Sequence, residues 1–253
     1  MIFKICRNFL ACKKIVIFMT HVMMNAELKK PMFPNPVMFS LFMVYWIAGI
    51  LILFLTSQGD PLLWVNSFST DTLDHFFLVV TFLGNGIFAA ILAIAFFFKK
   101  LYYGLSMTAA FIVVSLLTNF FKRLVFIQHY RPLWFFYYND LHRVIIDAPV
   151  NYLRSFPSGH AMTAFAMATI LSILFRKHWL SVLFFIGAFL ISWSRVYLCQ
   201  HFFIDIFWGG LLGFFSAIIG KVLMDGLVKL FNTDVMAMPI QKVLPVLLSR
   251  VKH

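Results

Sequence analysis

Three short stretches carry most of the chemistry this chain could do. They read Lys122-Arg123…Arg131-Pro132, then Ser155-Phe156-Pro157-Ser158-Gly159-His160, then Ser194-Arg195…His201…Asp205. Each borders an apolar run, and ionisable groups at the edge of a bilayer are costly enough to be functional candidates by default. The inventory suits phosphate. Cations and backbone amides hold an anion, one histidine attacks it, and another donates a proton.

His201 and Asp205 are four apart, so on a helix they share a face. A carboxylate there accepts a hydrogen bond from one imidazole nitrogen, fixes the tautomer and leaves the other nitrogen free to act as a nucleophile. Alone, the pair would serve equally well as polar glue between spans. Pro157-Ser158-Gly159-His160 opens an apolar segment. Ser158 is a natural N-cap, Gly159 lets backbone come close, and a helix N-terminus attracts anions. His160 in the first turn is placed to protonate a leaving alkoxide. On its own this is also a plain cap beside an interfacial histidine. Arg131 and Arg195 offer guanidinium forks that match phosphate oxygens, although a single arginine at a span end also snorkels to headgroups.

The elements that must position these groups are membrane helices. The 253 residues are 62% hydrophobic and 12% charged, with a mean hydropathy of +0.91. That profile excludes an ordinary soluble domain and gives an all-α, polytopic membrane protein with a bundle of six transmembrane helices. The spans fall near 37–55, 76–98, 101–121, 161–175, 180–193 and 202–223, the fourth and fifth being short. The net charge of +12 is spread over span ends instead of forming one patch, so it serves orientation and anionic lipid, with no nucleic acid as partner.

The basic N-terminal stretch, Lys99-Lys100, Arg176-Lys177-His178 and the C-terminal lysines (Lys221 among them) fall on one side. The positive-inside rule makes that side cytoplasmic, with both termini on it, and the membrane expected for the chain is the cell (inner) membrane. The three chemical stretches then lie on the extracytoplasmic side. So does the loop from Lys122 to Pro157, about 35 residues long, and long loops in compact proteins are commonly functional. The expected organisation is a basic amphipathic segment over 1–36, whose several methionines also fit a later start. A first span and acidic outer loop follow over 37–75, then a core over 76–224 and a basic tail over 225–253. Three cysteines follow no metal-ligand spacing, and no carboxylate cluster stands near the site. No metal and no other cofactor is expected.

Taken together, the motifs resemble the type 2 phosphatidic acid phosphatase superfamily, membrane lipid phosphatases related to vanadium haloperoxidases. Its second signature matches as Pro157-Ser158-Gly159-His160. Its third matches as Ser194-Arg195, five residues, His201, three residues, Asp205. The resemblance extends over roughly 76–221. The first signature departs from the pattern of lysine, six residues, Arg-Pro: eight residues separate Lys122 from Arg131, and seven separate Arg123 from it. A two-residue insertion near Gln128-His129 would give the role to Lys122, and a one-residue bulge would give it to Arg123.

The resemblance implies roles. His201 attacks phosphorus, Asp205 supports it, and His160 protonates the leaving oxygen. Lys122 or Arg123, with Arg131, Ser158, Gly159 and Arg195, holds the phosphoryl oxygens. His142, Arg143 and Arg154 are candidates for tuning substrate choice. The implied partner is a phosphorylated lipid in the bilayer: phosphatidate, phosphatidylglycerol phosphate, undecaprenyl diphosphate or a phosphate of lipid A. Two other readings remain, a phosphotransferase using the same phosphoenzyme and a non-enzymatic headgroup binder or transporter.

Overall fold

The computed structural model describes Met24, Leu28, residues 31–136, Leu141, residues 152–231 and residues 234–243. Among them the regular structure is helical throughout. Helix α1 (Pro36–Leu55) starts at Asn35, whose side chain accepts from Val37 N, with Pro36 in the first turn where its missing N–H costs nothing. A short α2 (Asp60–Ser67) lies in the acidic segment that follows. Next come α3 (Asp71–Phe82) and α4 (Gly86–Lys99). Then α5 (Leu101–Phe120) runs on into a π-helical turn (Phe121–Val125), and a single-turn helix α6 covers Pro132–Phe135. The chain closes with α7 (Gly159–Phe175), α8 (His178–Tyr197) and α9 (Phe203–Phe231).

Four of these helices are long and apolar enough to cross a membrane, a fifth candidate being α3 and α4 taken together, bent by 51° at the break, so the expected count of six is not reached by length and composition among the described residues. The expected single span over 76–98 is therefore broken. Consecutive tight turns end α3 (Gly84 N–H to Thr81 O, Asn85 N–H to Phe82 O), and Asn85 caps α4 through Ile87 N. Helix α7 matches the expected fourth span but has 17 residues, about 25 Å at the usual rise, short of the ~30 Å hydrocarbon core. It is nevertheless the centre of the fold: every residue from Ala161 to Leu174 is buried, against α5, α8 and α9. The close crossing with α9 depends on Gly213, where a Cβ would lie 2.2 Å from Met162 O.

At one end of the bundle the basic junctions come together. Asn35 Nδ2 donates to Arg176 O (2.9 Å), Lys99 Nζ lies 4.5 Å from the Phe175 ring centre, and Leu101 N–H donates to Met238 O (2.8 Å). The expected cytoplasmic lysine Lys221 is instead fully buried between α9 and α5. Its Nζ donates to Asp225, which also accepts from the Tyr102 hydroxyl. A charge buried in a span needs such a partner.

Candidate active site

The site forms at the opposite end of the bundle, where four segments meet. The most local part is the five-residue link between α8 and α9. Cys199 takes a left-handed conformation (φ 52°). Cys199 N–H then closes on Val196 O (3.0 Å) and Gln200 N–H on Arg195 O (2.9 Å), the paired bonds of a Schellman cap. His201 N–H also donates to Arg195 O (3.1 Å). The helix terminator thus ties the backbone of the histidine to that of the arginine, which gives the spacing between Arg195 and His201 a physical cause. Burial raises the Cys199 thiol to about 12, so it stays a protonated packing group.

His201 Nδ1 lies 3.3 Å from Asp205 Oδ2, one turn into α9. Burial first, and then the cations Arg131, Lys122 and Arg195, hold the His201 ring well below the ordinary histidine range. It is therefore a neutral imidazole at physiological pH. With Nδ1–H directed at the carboxylate, Nε2 keeps its lone pair. Asp205 Oδ2 also accepts from Phe202 N–H (3.0 Å) and from the Ser155 hydroxyl.

The second segment is the start of α7. Ser158 is the N-cap, its side chain accepting from Ala161 N, and its own N–H donates to Asp205 O (3.1 Å). That bond joins the two motif segments directly. Gly159 and His160 occupy the first turn. The break in the bent span packs on His160: a Cβ on Gly84 would lie 3.1 Å from His160 Cδ2 and 2.5 Å from Ile191.

Cations complete the site. Arg131 is buried. Its Nε donates to Leu153 O (3.1 Å), and its Nη1 donates to Gln200 O (3.1 Å) and Gln200 Oε1 (3.3 Å). Arg195 is buried and donates from Nη1 to Thr81 Oγ1 (2.7 Å) on α3. Lys122, half-buried in the π turn, interacts electrostatically with Arg131, Asp205 and Arg195. Three cations thus surround one carboxylate, an excess of two positive charges that suits a phosphate dianion. Among the described residues, Arg195 Nε, Gln200 Nε2 and Asp205 Oδ1 are buried without a hydrogen-bond partner.

The structure therefore brings together Lys122, Arg131, Ser158, Gly159, His160, Arg195, His201 and Asp205. It leaves Arg123 and Arg154 exposed, Arg154 with φ 59°. His142 and Arg143 lie outside the described residues. Sequence reasoning gave no role in the site to Ser155, Gln200, Thr81 or Gly84. The first two flank motif residues and were visible as neighbours. The other two reach the site only through the tertiary fold. Among the described residues, no group of three or more His, Cys, Asp or Glu is placed to hold a metal.

Beside the site an apolar groove of about 570 Å³ runs between α4 and α5, from Gly84 and Gly159 to Phe97, walled by Ala93, Ile94 and Phe111. Its lining residues Ile94 and Ile112 are exposed on the outer surface of the bundle.

Known proteins resemble this chain in fold and sequence. The crystal structure of Aquifex aeolicus LpxE superposes with a TM-score of 0.56 and 30% identity, covering 64% of this chain and 92% of that one. A transmembrane phosphatidylglycerolphosphate phosphatase of the PAP2 type from Bacillus subtilis shares the fold, with a TM-score of 0.51 and 23% identity over 76% of this chain and 96% of its own. A lipid A 4'-phosphatase of Bacteroides thetaiotaomicron is 43% identical over 61 residues, 24% of this chain and about a quarter (27%) of that relative's length. The profile of the PAP2 superfamily matches residues 99–228, more than half of the chain and all eight residues that the fold draws together here. The chain belongs to the PAP2 superfamily.

Proposed function

We propose that the chain is an integral-membrane lipid phosphate or diphosphate phosphatase that works without a metal through a phosphohistidine on His201. One observation carries this reading: a neutral, carboxylate-supported histidine is ringed by three cations, and an apolar groove reaches Gly84 and Gly159 beside the same site. The groove falls within the ~300–1,000 Å³ of ordinary ligand sites. Along the 14 residues of α4 it has about 20 Å for an acyl chain.

In the first step His201 Nε2 attacks phosphorus. The N–P bond forms, the P–O bond to the lipid breaks, and His160, which takes up a proton as the phosphate dianion binds, supplies the proton that the leaving oxygen takes. Lys122, Arg131, Arg195 and the free amides at the start of α7 hold the equatorial oxygens, where charge stabilisation is the main catalytic contribution. Water then attacks phosphorus, the N–P bond breaks, and His160 takes up the water proton.

The convergence of the basic junctions at the far end of the bundle supports a cytoplasmic face there and an extracytoplasmic site, with residues 76–224 as the catalytic core. Of the four candidate lipids, the stretch shared with the Bacteroides enzyme supports a phosphate of lipid A.

The test is phosphate release from all four lipids by purified protein in EDTA, with His201→Ala alongside. Expected are turnover in EDTA with lipid A the best substrate, inhibition by vanadate, and a loss of at least ~10³-fold in the variant. Activity that needs added metal, or that survives the substitution, would sink the mechanism. Phosphate recovered only on a second lipid would make the protein a transferase.

A further inference from the structure

We propose that Ser155 is a positioning residue that shares the orienting proton of His201 with Asp205 and so sets how readily phosphate leaves the ring. The inference rests on the nucleophile reading above.

Ser155 is fully buried, three residues before the Ser158 cap, and its N–H is fixed on His129 O (3.0 Å). Its hydroxyl donates to Asp205 Oδ2. With that proton committed, the lone pairs of Oγ face His201 Nδ1 at 3.3 Å. Nδ1 is equally 3.3 Å from Asp205 Oδ2. The Nδ1–H therefore faces two acceptors, both beyond the usual 2.9–3.0 Å of a strong N–H···O bond. Oδ2 meanwhile accepts from Ser155 Oγ and Phe202 N–H, two donors that compete with the imidazole for its charge.

The other groups acting on the ring are Arg131, Lys122, Arg195 and His160, all of which disfavour an added positive charge. Asp205, 3.3 Å from Nδ1, favours it, and Ser155 limits how strongly.

A nucleophile that must also depart has two requirements. Attack forms the N–P bond and puts positive charge on the ring, which a strong Nδ1–H···carboxylate bond helps. Hydrolysis breaks that bond and returns the electron pair to Nε2, which the same strong bond hinders. A serine between the two groups moderates the carboxylate, so that neither step becomes the slow one.

The experiment uses the full chain in detergent with phosphatidate as probe, comparing wild type, Ser155→Ala and Ser155→Thr. Steady-state rates, pH profiles and the phosphoenzyme trapped by alkaline quench are the readouts. In Ser155→Ala, kcat falls about tenfold, as expected for loss of one hydrogen bond to a charged group, and KM falls with it because hydrolysis has become the slow step. The trapped phosphoenzyme increases, and the acid limb of kcat/KM moves to higher pH because the ring becomes more basic. Ser155→Thr, which keeps the hydroxyl, restores all three. If Ser155→Ala does not fold, Ser155→Cys, a weaker donor of similar size, carries the same expectations.

A folded Ser155→Ala with wild-type phosphoenzyme level and acid limb overturns the inference, as does a Ser155→Thr that behaves like the alanine variant. His201→Ala separates the two ideas. If it is inactive while Ser155→Ala partitions normally, only this inference falls. If it is active, the nucleophile assignment falls and takes the inference with it.

Discussion

Substituting Gly209 by alanine tests whether the contact between α7 and α9 sets the catalytic geometry. A Cβ at this position would lie 2.8 Å from Ser158 O and 3.1 Å from Ala161 Cβ, where ordinary contact begins near 3.4 Å. The start of α7 must therefore withdraw from α9 by about 0.6 Å. Gly209 stands one turn beyond Asp205, so the same movement stretches the 3.1 Å bond from Ser158 N–H to Asp205 O beyond hydrogen-bonding range. It also carries His160 away from His201. Overpacking of this kind costs ~1–3 kcal/mol, partly offset by ~1 kcal/mol of helix propensity gained on replacing glycine. The fold should survive with a melting temperature lower by roughly 0–8 °C. Catalysis is less tolerant, since a displacement of about 1 Å costs ~10²-fold, and kcat should fall ~10–100-fold. The assay is phosphate release beside thermal melting in detergent. Gly187→Ala, with nothing within 4 Å of its Cβ, is the control and should keep full activity. A Gly209→Ala protein with kcat within twofold of wild type would refute the argument that this contact fixes the site.

Two further expectations concern charge. Lys122→Ala should lower kcat/KM ~10–100-fold by removing a cation from the phosphate, whereas Arg123→Ala, at an exposed position, should change it less than twofold; the reverse order would give Arg123 the role. His201 is neutral in the fold and titrates near 6.5 when unfolded, so below pH 6.5 the unfolded chain binds a proton that the fold refuses. Stability should therefore fall as pH drops from 6.5, and His201→Gln should remove up to ~1.4 kcal/mol per pH unit of that slope; parallel melting curves for the two proteins would show that the folded ring accepts the proton.

What the sequence made legible was local. The spacing of Arg195, His201 and Asp205 follows from one helix cap and one helix turn, and Ser158-Gly159-His160 is an N-terminal first turn, so both motifs could be placed from the chain alone. The first signature was harder because its spacing passes through the π turn at Phe121–Val125 and the turn at Ile127–Gln128. A π turn changes the angular register of every residue after it, and periodicity cannot anticipate it. In the fold the two differ in exposure: Lys122 is half-buried and Arg123 lies outside. Thr81 and Gly84 were illegible for another reason. They reach Arg195 and His160 across more than seventy residues of chain, through a bend that hydropathy reads as one continuous span. Lys221 looked like a tail cation because its partners, Asp225 and Tyr102, become partners only once α5 and α9 pack.

The groove between α4 and α5 changes what substrate concentration means for this protein. A lipid that slides in sideways from the leaflet is never dissolved in water during turnover. On the proposed function, the encounter rate follows the mole fraction of substrate in the membrane, not the amount per litre. Adding inert lipid or detergent at constant substrate should then slow the reaction by surface dilution alone, and an apparent KM has meaning only when stated per unit of bilayer.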